Sequence, residues 1–169
     1  MIIDLASVGR NPRRIELAFE PSEIDLDQGS RLTEKAMFNG EISRDGTRTR
    51  VRGRIVTQVE TDCVRCLEPV VKDIDLEFED VFVDAVDEPK TDEIELGQDE
   101  MDESLITSDE IDMTEVVREQ LILATTEIVY CGPDCKGLCP KCGGNRNLID
   151  CKCEENEIDP RWAALKSLK

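Results

Sequence analysis

Arg44-Asp45-Gly46-Thr47-Arg48-Thr49-Arg50-Val51-Arg52-Gly53-Arg54-Ile55 is the stretch on which the fold turns. Asp45-Gly46 is a pair that closes two-residue β-hairpins. With that pair as the loop, Arg44 stands opposite Thr47 and Glu41 opposite Arg50, a favourable cross-strand pair. Phe38, Gly40 and Ile42 then share a face with Val51, Gly53 and Ile55, and polar residues take the other. A second alternating run, Asp73-Ile74-Asp75-Leu76-Glu77-Phe78-Glu79, carries acids on one face and apolar groups on the other. Folded back on the first run, it sets Arg54 against Asp75, Arg52 against Glu77 and Arg50 against Glu79. On the opposite face Ile55 meets Ile74, Val51 meets Phe78 and Val59 meets Val70. Cys63 and Cys66 face each other at the hairpin tip, where Pro69 lacks a ladder donor and makes the pairing irregular. Taken alone, Arg48, Arg50, Arg52 and Arg54 form a phosphate-binding stripe. Laddered against acids they are structural, each pair contributing roughly 0.2–1 kcal/mol.

Outward from this sheet, Ile15, Leu17 and Phe19 alternate as a further strand. Ser108 to Ala124 reads as a helix, about 109–124. Asp112 and Glu115 form a variant capping box there, and Met113, Val116, Val117, Leu121 and Ala124 a core stripe. Asp159-Pro160 opens a terminal helix with Trp162, Leu165 and Leu168 on one side. The expected fold is α+β: an antiparallel β-meander or barrel-like sheet, one or two packed helices and a small cysteine-rich zinc-knuckle tail. Residues 1–130 form the β-rich domain. Residues 131–169 form a cysteine-rich zinc-binding module with a C-terminal helix.

The chain has 169 residues, 39 acids, 21 bases and no histidine, for a net charge of −18. The acidity is concentrated. Residues 1–60 balance at ten and ten, residues 61–130 hold 23 acids against four bases, and residues 131–169 hold seven bases against six acids. Residues 84–104 carry ten acids and one lysine, which reads as a mobile acidic loop, either a solvated excursion or a docking arm for a basic protein. A chain this acidic does not simply coat nucleic acid. Without histidine, serine triads and imidazole metal sites are excluded. No run approaches the roughly 20 apolar residues of a membrane span, and Met1-Ile2-Ile3-Asp4-Leu5 lacks a signal-peptide start, so a reducing cytoplasm is expected.

In that compartment clustered thiols are metal ligands before they are disulfides. Eight are present: Cys63-x2-Cys66, then Cys131-x3-Cys135-x3-Cys139-x2-Cys142-x8-Cys151-x-Cys153. Leu138-Cys139-Pro140-Lys141-Cys142-Gly143 has the form of a zinc knuckle. Eight thiolates complete one or two structural four-cysteine zinc sites. One division gives Cys139, Cys142, Cys151 and Cys153 a local site and joins Cys63 and Cys66 to Cys131 and Cys135. The rival division pairs Cys63 and Cys66 with Cys139 and Cys142. Loop-closure entropy favours the first. Three competing readings stand beside zinc. The spacings match no common ferredoxin pattern for an iron–sulfur cluster. A thiol oxidoreductase would want its Cys-x-x-Cys on a βαβ unit. Free buried thiols are the third, above all at Cys63 and Cys66.

Several motifs now fall in one order: Cys63-Val64-Arg65-Cys66-Leu67-Glu68-Pro69; Ile111-Asp112 opening a helix; Cys135-Lys136-Gly137-Leu138-Cys139-Pro140-Lys141-Cys142-Gly143; and Asp159-Pro160-Arg161. From about Arg14 onward the chain resembles the bacterial YceD family. That resemblance implies a non-enzymatic ribosome-biogenesis factor supporting 23S rRNA accumulation and large-subunit assembly. Its members' genes often neighbour that of a small basic large-subunit ribosomal protein. Some members lack the tail cysteines, which implies a metal acting as a staple. Thr125-Thr126 stands where a proline is common. The expected partners are a large-subunit ribosomal protein or pre-ribosomal particle met through protein contacts, with no membrane and no small-molecule substrate. The alternative is direct rRNA binding through Arg10, Arg13, Arg14, the arginines of 44–54, Lys136, Lys141 and Arg146. A thiol oxidoreductase or nuclease is disfavoured, because no acidic cluster has catalytic spacing and full cysteine coordination leaves no open metal position.

Overall fold

The structure, a computed structural model, describes residues 1–26, 29–85, 103–125 and 129–153. Its centre is two long strands, β5 (Arg48–Asp62) and β6 (Pro69–Asp84), which run antiparallel over their whole length. Before them come β1 (Ile2–Asp4), β2 (Arg13–Phe19), β3 (Arg31–Leu32) and β4 (Ala36–Asp45). After them come β7 (Glu103–Ile106), β8 (Glu110–Asp112) and the helix α1 (Met113–Thr125). The main sheet has the order β2-β4-β5-β6-β7, with β3 also on β5. β1 and β8 make a separate ribbon, Ile3 opposite Ile111. The sheet is open, so the barrel-like expectation is corrected. It is not a pure antiparallel meander either, since β7 joins β6 in parallel.

Both hairpin registers are displaced by two residues from those expected, and both keep every side chain on its expected face, because the strand period is two. In the first, the loop is Gly46-Thr47 and not Asp45-Gly46: Asp45 pairs with Arg48. Gly46 has φ 65°, and as the first loop residue it supplies the positive dihedral that tight hairpin loops need. Glu41 therefore faces Arg52. In the second, Asp62 pairs with Pro69 and the Cys63 N–H donates to the Glu68 carbonyl at 2.9 Å, so the turn takes up more chain than a tight hairpin. Arg54 now faces Glu77, Arg52 faces Glu79 and Arg50 faces Val81. On the core side Ile55 meets Leu76, Val51 meets Asp80 and Val59 meets Lys72.

Charge pairing survives the shift because arginine reaches diagonally. Arg54 holds Asp75, Arg50 Nε lies 2.9 Å from Glu79 Oε1, and Arg52 turns the other way to Glu41 at 2.7 Å. The expected Arg52–Glu77 contact is thereby replaced, although both stay on one face. Across four strands the outer face carries a row of alternating sign: Arg14, Glu41, Arg52, Glu79.

The inner face carries the core. Phe38, Ile42, Val51 and Ile55 are buried, together with Met113, Val116, Val117 and Leu121 of α1. The helix begins later than expected. Glu110–Asp112 is extended, held against β1, and the Thr114 N–H donates to Asp112 Oδ1 at 2.9 Å as the cap. The Gln120 amide donates to both oxygens of Asp80 at 3.1 Å, and burial pushes the Asp80 carboxyl up against that bond. Of the acidic loop 84–104, Asp84 lies in β6 and Glu103-Ser104 in β7, and 86–102 lie outside the described residues. The helix expected from Asp159 also lies outside them. No helix among the described residues is long and apolar enough to cross a membrane.

Gly40 and Gly53 face each other across β4 and β5, and the Phe38 ring folds over them to stand 5.8 Å from that of Phe78. A Cβ on Gly53 would lie 2.5 Å from the Phe38 ring and 2.7 Å from the Asn39 carbonyl. At Gly46 a Cβ meets nothing within 4 Å, and only its φ is strained. Gly53→Ala is expected to cost about 3 kcal/mol in urea unfolding and Gly46→Ala about 1 kcal/mol. The reverse order would reject this account of the core.

Candidate metal centre

The turn between β5 and β6 and the loop at 139–144 are built alike. In the first, the Leu67 N–H donates to the Cys63 carbonyl at 2.9 Å and the Cys63 N–H to Glu68. In the second, the Gly143 N–H donates to the Cys139 carbonyl at 2.8 Å and the Cys139 N–H to Gly144 at 2.8 Å. Both end on a left-handed residue, Gly143 at φ 70° and Leu67 at φ 58°. A leucine there costs about 1–2 kcal/mol, so the surroundings must hold the turn in place. Each turn points its two sulfurs to one side, as a knuckle does.

The two knuckles do not share a site. Cys63, Cys66, Cys131 and Cys135 form one group and Cys139, Cys142, Cys151 and Cys153 another, with the sulfurs of each within 4.8 Å of one another. This is the first of the two divisions considered above, and it joins segments some 70 residues apart. Cys63 Sγ lies 3.9 Å from Cys135 Sγ, and Cys66 Sγ 3.5 Å from Cys131 Sγ. A tetrahedral zinc with bonds of about 2.3 Å sets its sulfurs about 3.8 Å apart, whereas a disulfide closes to about 2.05 Å. All eight cysteines are free. The donor set and its spread fit a single thiophilic cation per group, and four sulfurs this close leave no room for a multi-iron cluster between them.

The electrostatics of each group are divided. Burial opposes the Cys63 thiolate, but backbone N–H groups of Cys131, Arg65 and Cys66 outweigh it and bring the thiol down to about 6. Cys131 is pushed up to about 12, first by its hydrogen bond with Cys135 and then by Cys66. In the second group, N–H groups of Cys142 and Lys141 bring Cys139 down to about 6, while Cys142 and Cys139 push Cys153 up to about 11. The division runs through both groups: Cys135 is lowered beside Cys63 while Cys66 rises with Cys131, and in the second group Cys151 rises with Cys153. A divalent cation removes the resistance of the raised thiols by compensating the charge.

Supporting residues escaped the reading of the sequence. The Asn147 amide donates to Cys135 Sγ at 3.3 Å and leads the lowering of its pKa. The Arg65 guanidinium donates to the Cys135 carbonyl at 3.2 Å and lies over the Tyr130 ring at 4.5 Å. The Leu138 N–H donates to the Arg65 carbonyl at 2.9 Å, and the Asn145 amide to Glu68 at 3.0 Å. Nothing in their spacing signalled these roles, because each depends on the tail meeting the hairpin tip. A separate groove of about 680 Å³ opens on the sheet over Arg14, Asn39, Glu41, Arg52, Arg54 and Glu79. Its arginines Arg52 and Arg54 are held by carboxylates.

Two metal ions per chain are expected by native mass spectrometry, falling to one in Cys66→Ser and to one in Cys142→Ser. A preparation with no bound ion and eight rapidly titrating thiols would remove the metal reading. Coordination requires thiolates, and Cys131 and Cys153 keep their protons at neutral pH. Metal uptake at pH 7.5 therefore releases protons. As pH falls past about 6, Cys63 and Cys139 also reprotonate, and the affinity drops further. Chelator competition at pH 5.5, 6.5 and 7.5 measures this; an affinity independent of pH would contradict thiolate ligation.

Comparison with known proteins agrees with these motifs. An uncharacterized protein of Mycobacterium tuberculosis is 27% identical over 98% of this chain and 79% of its own length. YlbN of Bacillus subtilis is 28% identical over 86% of this chain and 87% of its own. A Zea mays protein named Large ribosomal RNA subunit accumulation protein YCED homolog 1, chloroplastic, is 25% identical over 92% of this chain and 60% of its own. No solved structure matches the chain. The profile described as Large ribosomal RNA subunit accumulation protein YceD matches residues 51–169, a span that takes in both knuckles, and the chain therefore belongs to the YceD family.

Proposed function

We propose that this chain is a non-enzymatic factor in large ribosomal subunit biogenesis, supporting accumulation of the large-subunit rRNA. The family and the name of the maize relative support the process. The observation that carries the mechanism is the disposition of charge. The sheet arginines Arg44, Arg48, Arg50, Arg52 and Arg54 are each held by a carboxylate of the chain itself. Among the described residues, carboxylates outside those pairs, such as Glu16, Asp62, Glu77 and Glu110, are exposed and form an acidic surface. Such a surface captures a basic ribosomal protein and holds it until rRNA is available, mainly by speeding their encounter. The two cysteine groups, each loaded with zinc, act as staples: the first holds the tail on the hairpin tip, the second closes the tail loop on itself, and neither leaves an open coordination position for catalysis.

Depletion of the protein, followed by sedimentation of ribosomal particles, is expected to lower the large-subunit peak relative to the small one. Tagged protein is expected to retain a basic large-subunit ribosomal protein or precursor particle at moderate salt and to release it as salt rises. Unchanged subunit ratios together with an empty pull-down would reject the proposal.

A further inference from the structure

The cations of the knuckle end differ from those of the sheet. Arg65, Lys136, Lys141 and Lys152 are exposed, and among the described residues none has a carboxylate within ion-pair distance. The fold draws their segments together. The Leu138 N–H bonds the Arg65 carbonyl, and the Arg146 N–H bonds the Gly137 carbonyl at 2.9 Å. The Lys136 N–H bonds Asn147 Oδ1 at 2.8 Å. Three cation-bearing segments therefore meet around Gly137. Beside them the Arg65 guanidinium lies over the ring of Tyr130, which is 43% exposed. Val64 at 55%, Leu67 at 61% and Leu148 at 75% stand out on the same loops.

We propose that this knuckle end is a docking surface for single-stranded RNA, approached end-on. Lysine heads on the loops meet phosphates, and the Arg65–Tyr130 pair with its aliphatic neighbours offers flat surface to unstacked bases. Four of the eight sulfurs, those of Cys63, Cys66, Cys135 and Cys139, belong to buried residues, so their charge is turned inward while the ammonium heads stand in solvent. Exposed Glu68, Asp134 and Asp150 share these loops, but residues 131–169 hold seven bases against six acids, so the acidic excess that repels a polyanion lies elsewhere in the chain. The inference goes beyond the capture of a basic protein: the same chain would meet protein on its acidic body and RNA at its knuckles.

The test is fluorescence anisotropy of a labelled, unstructured RNA of roughly 16 nucleotides, titrated with the zinc-loaded full chain over a range of salt. The triple variant Lys136→Ala/Lys141→Ala/Lys152→Ala is expected to bind at least tenfold more weakly. It is expected to lose about 2 from the slope of log affinity against log salt, since each single-strand phosphate contact contributes about 0.7. Arg52→Ala/Arg54→Ala on the sheet is expected to bind as the unaltered chain does. Metal content and urea midpoint serve as folding controls, and Lys141→Glu alone replaces the triple variant should that one lose metal. No binding by the unaltered chain, equal binding by the lysine variants, or equal weakening by the sheet variant would each overturn the proposal. So would a nuclease-treated pull-down in which the lysine variants lose a protein partner while RNA affinity stays the same; the surface would then belong to protein. If RNA binding fails and depletion still lowers large subunits, the biogenesis proposal stands without this surface.

Discussion

Cys63 and Cys66 sit at the tip of the longest hairpin, and Cys131 and Cys135 arrive there after the chain has finished its sheet and helix. Four sulfurs within 4.8 Å are a poor arrangement for thiols alone, since ionising one raises the cost of ionising its neighbours. The position of the tail depends on this contact more than on apolar packing. The buried cluster there consists of Cys63, Cys66 and Cys135 with Val70 against it, apart from the main core. Cation binding to four thiolates supplies roughly 10–16 kcal/mol of apparent free energy in small modules, enough to hold a segment that buries so little.

The second constraint is electrostatic. An acidic chain needs its sheet not to repel itself, and the outer face meets that need by alternating sign from strand to strand. Each exposed pair contributes little, but the pattern removes the arginines from the list of groups available to a ligand. That bears directly on function. The arginine stripe, the obvious nucleic-acid candidate along the chain, is internally compensated. The less conspicuous lysines of the knuckle loops are not.

Much of this was legible before the fold. Face assignment in β4, β5 and β6 was correct residue by residue, because a period of two needs only the pattern of Phe38, Ile42, Val51 and Ile55. Register was not, since it depends on which loop residue takes the positive φ. Gly46 took it one position earlier in the turn than the Asp-Gly pair suggests, and Leu67 took it where no glycine announces it. The grouping of the cysteines followed from loop length. Arg65 and Asn147 as supports did not, because their partners lie 70 and 12 residues away. The strands β1, β3, β7 and β8 were also missed: two to four residues carry too little period to read, and β7 lies in an acid-rich stretch.

Local pattern, acting through side-chain alternation and thiol spacing, determined the faces of the sheet, the stripe of α1 and the existence of two knuckles. Tertiary structure decided the register, the open parallel edge at β7 and the meeting of hairpin tip with tail. The reason is physical. Alternation and short-loop closure are properties of neighbouring residues, whereas register and long-range docking are differences between nearly equal arrangements, separated by single turn dihedrals and by contacts that exist only once the chain has folded.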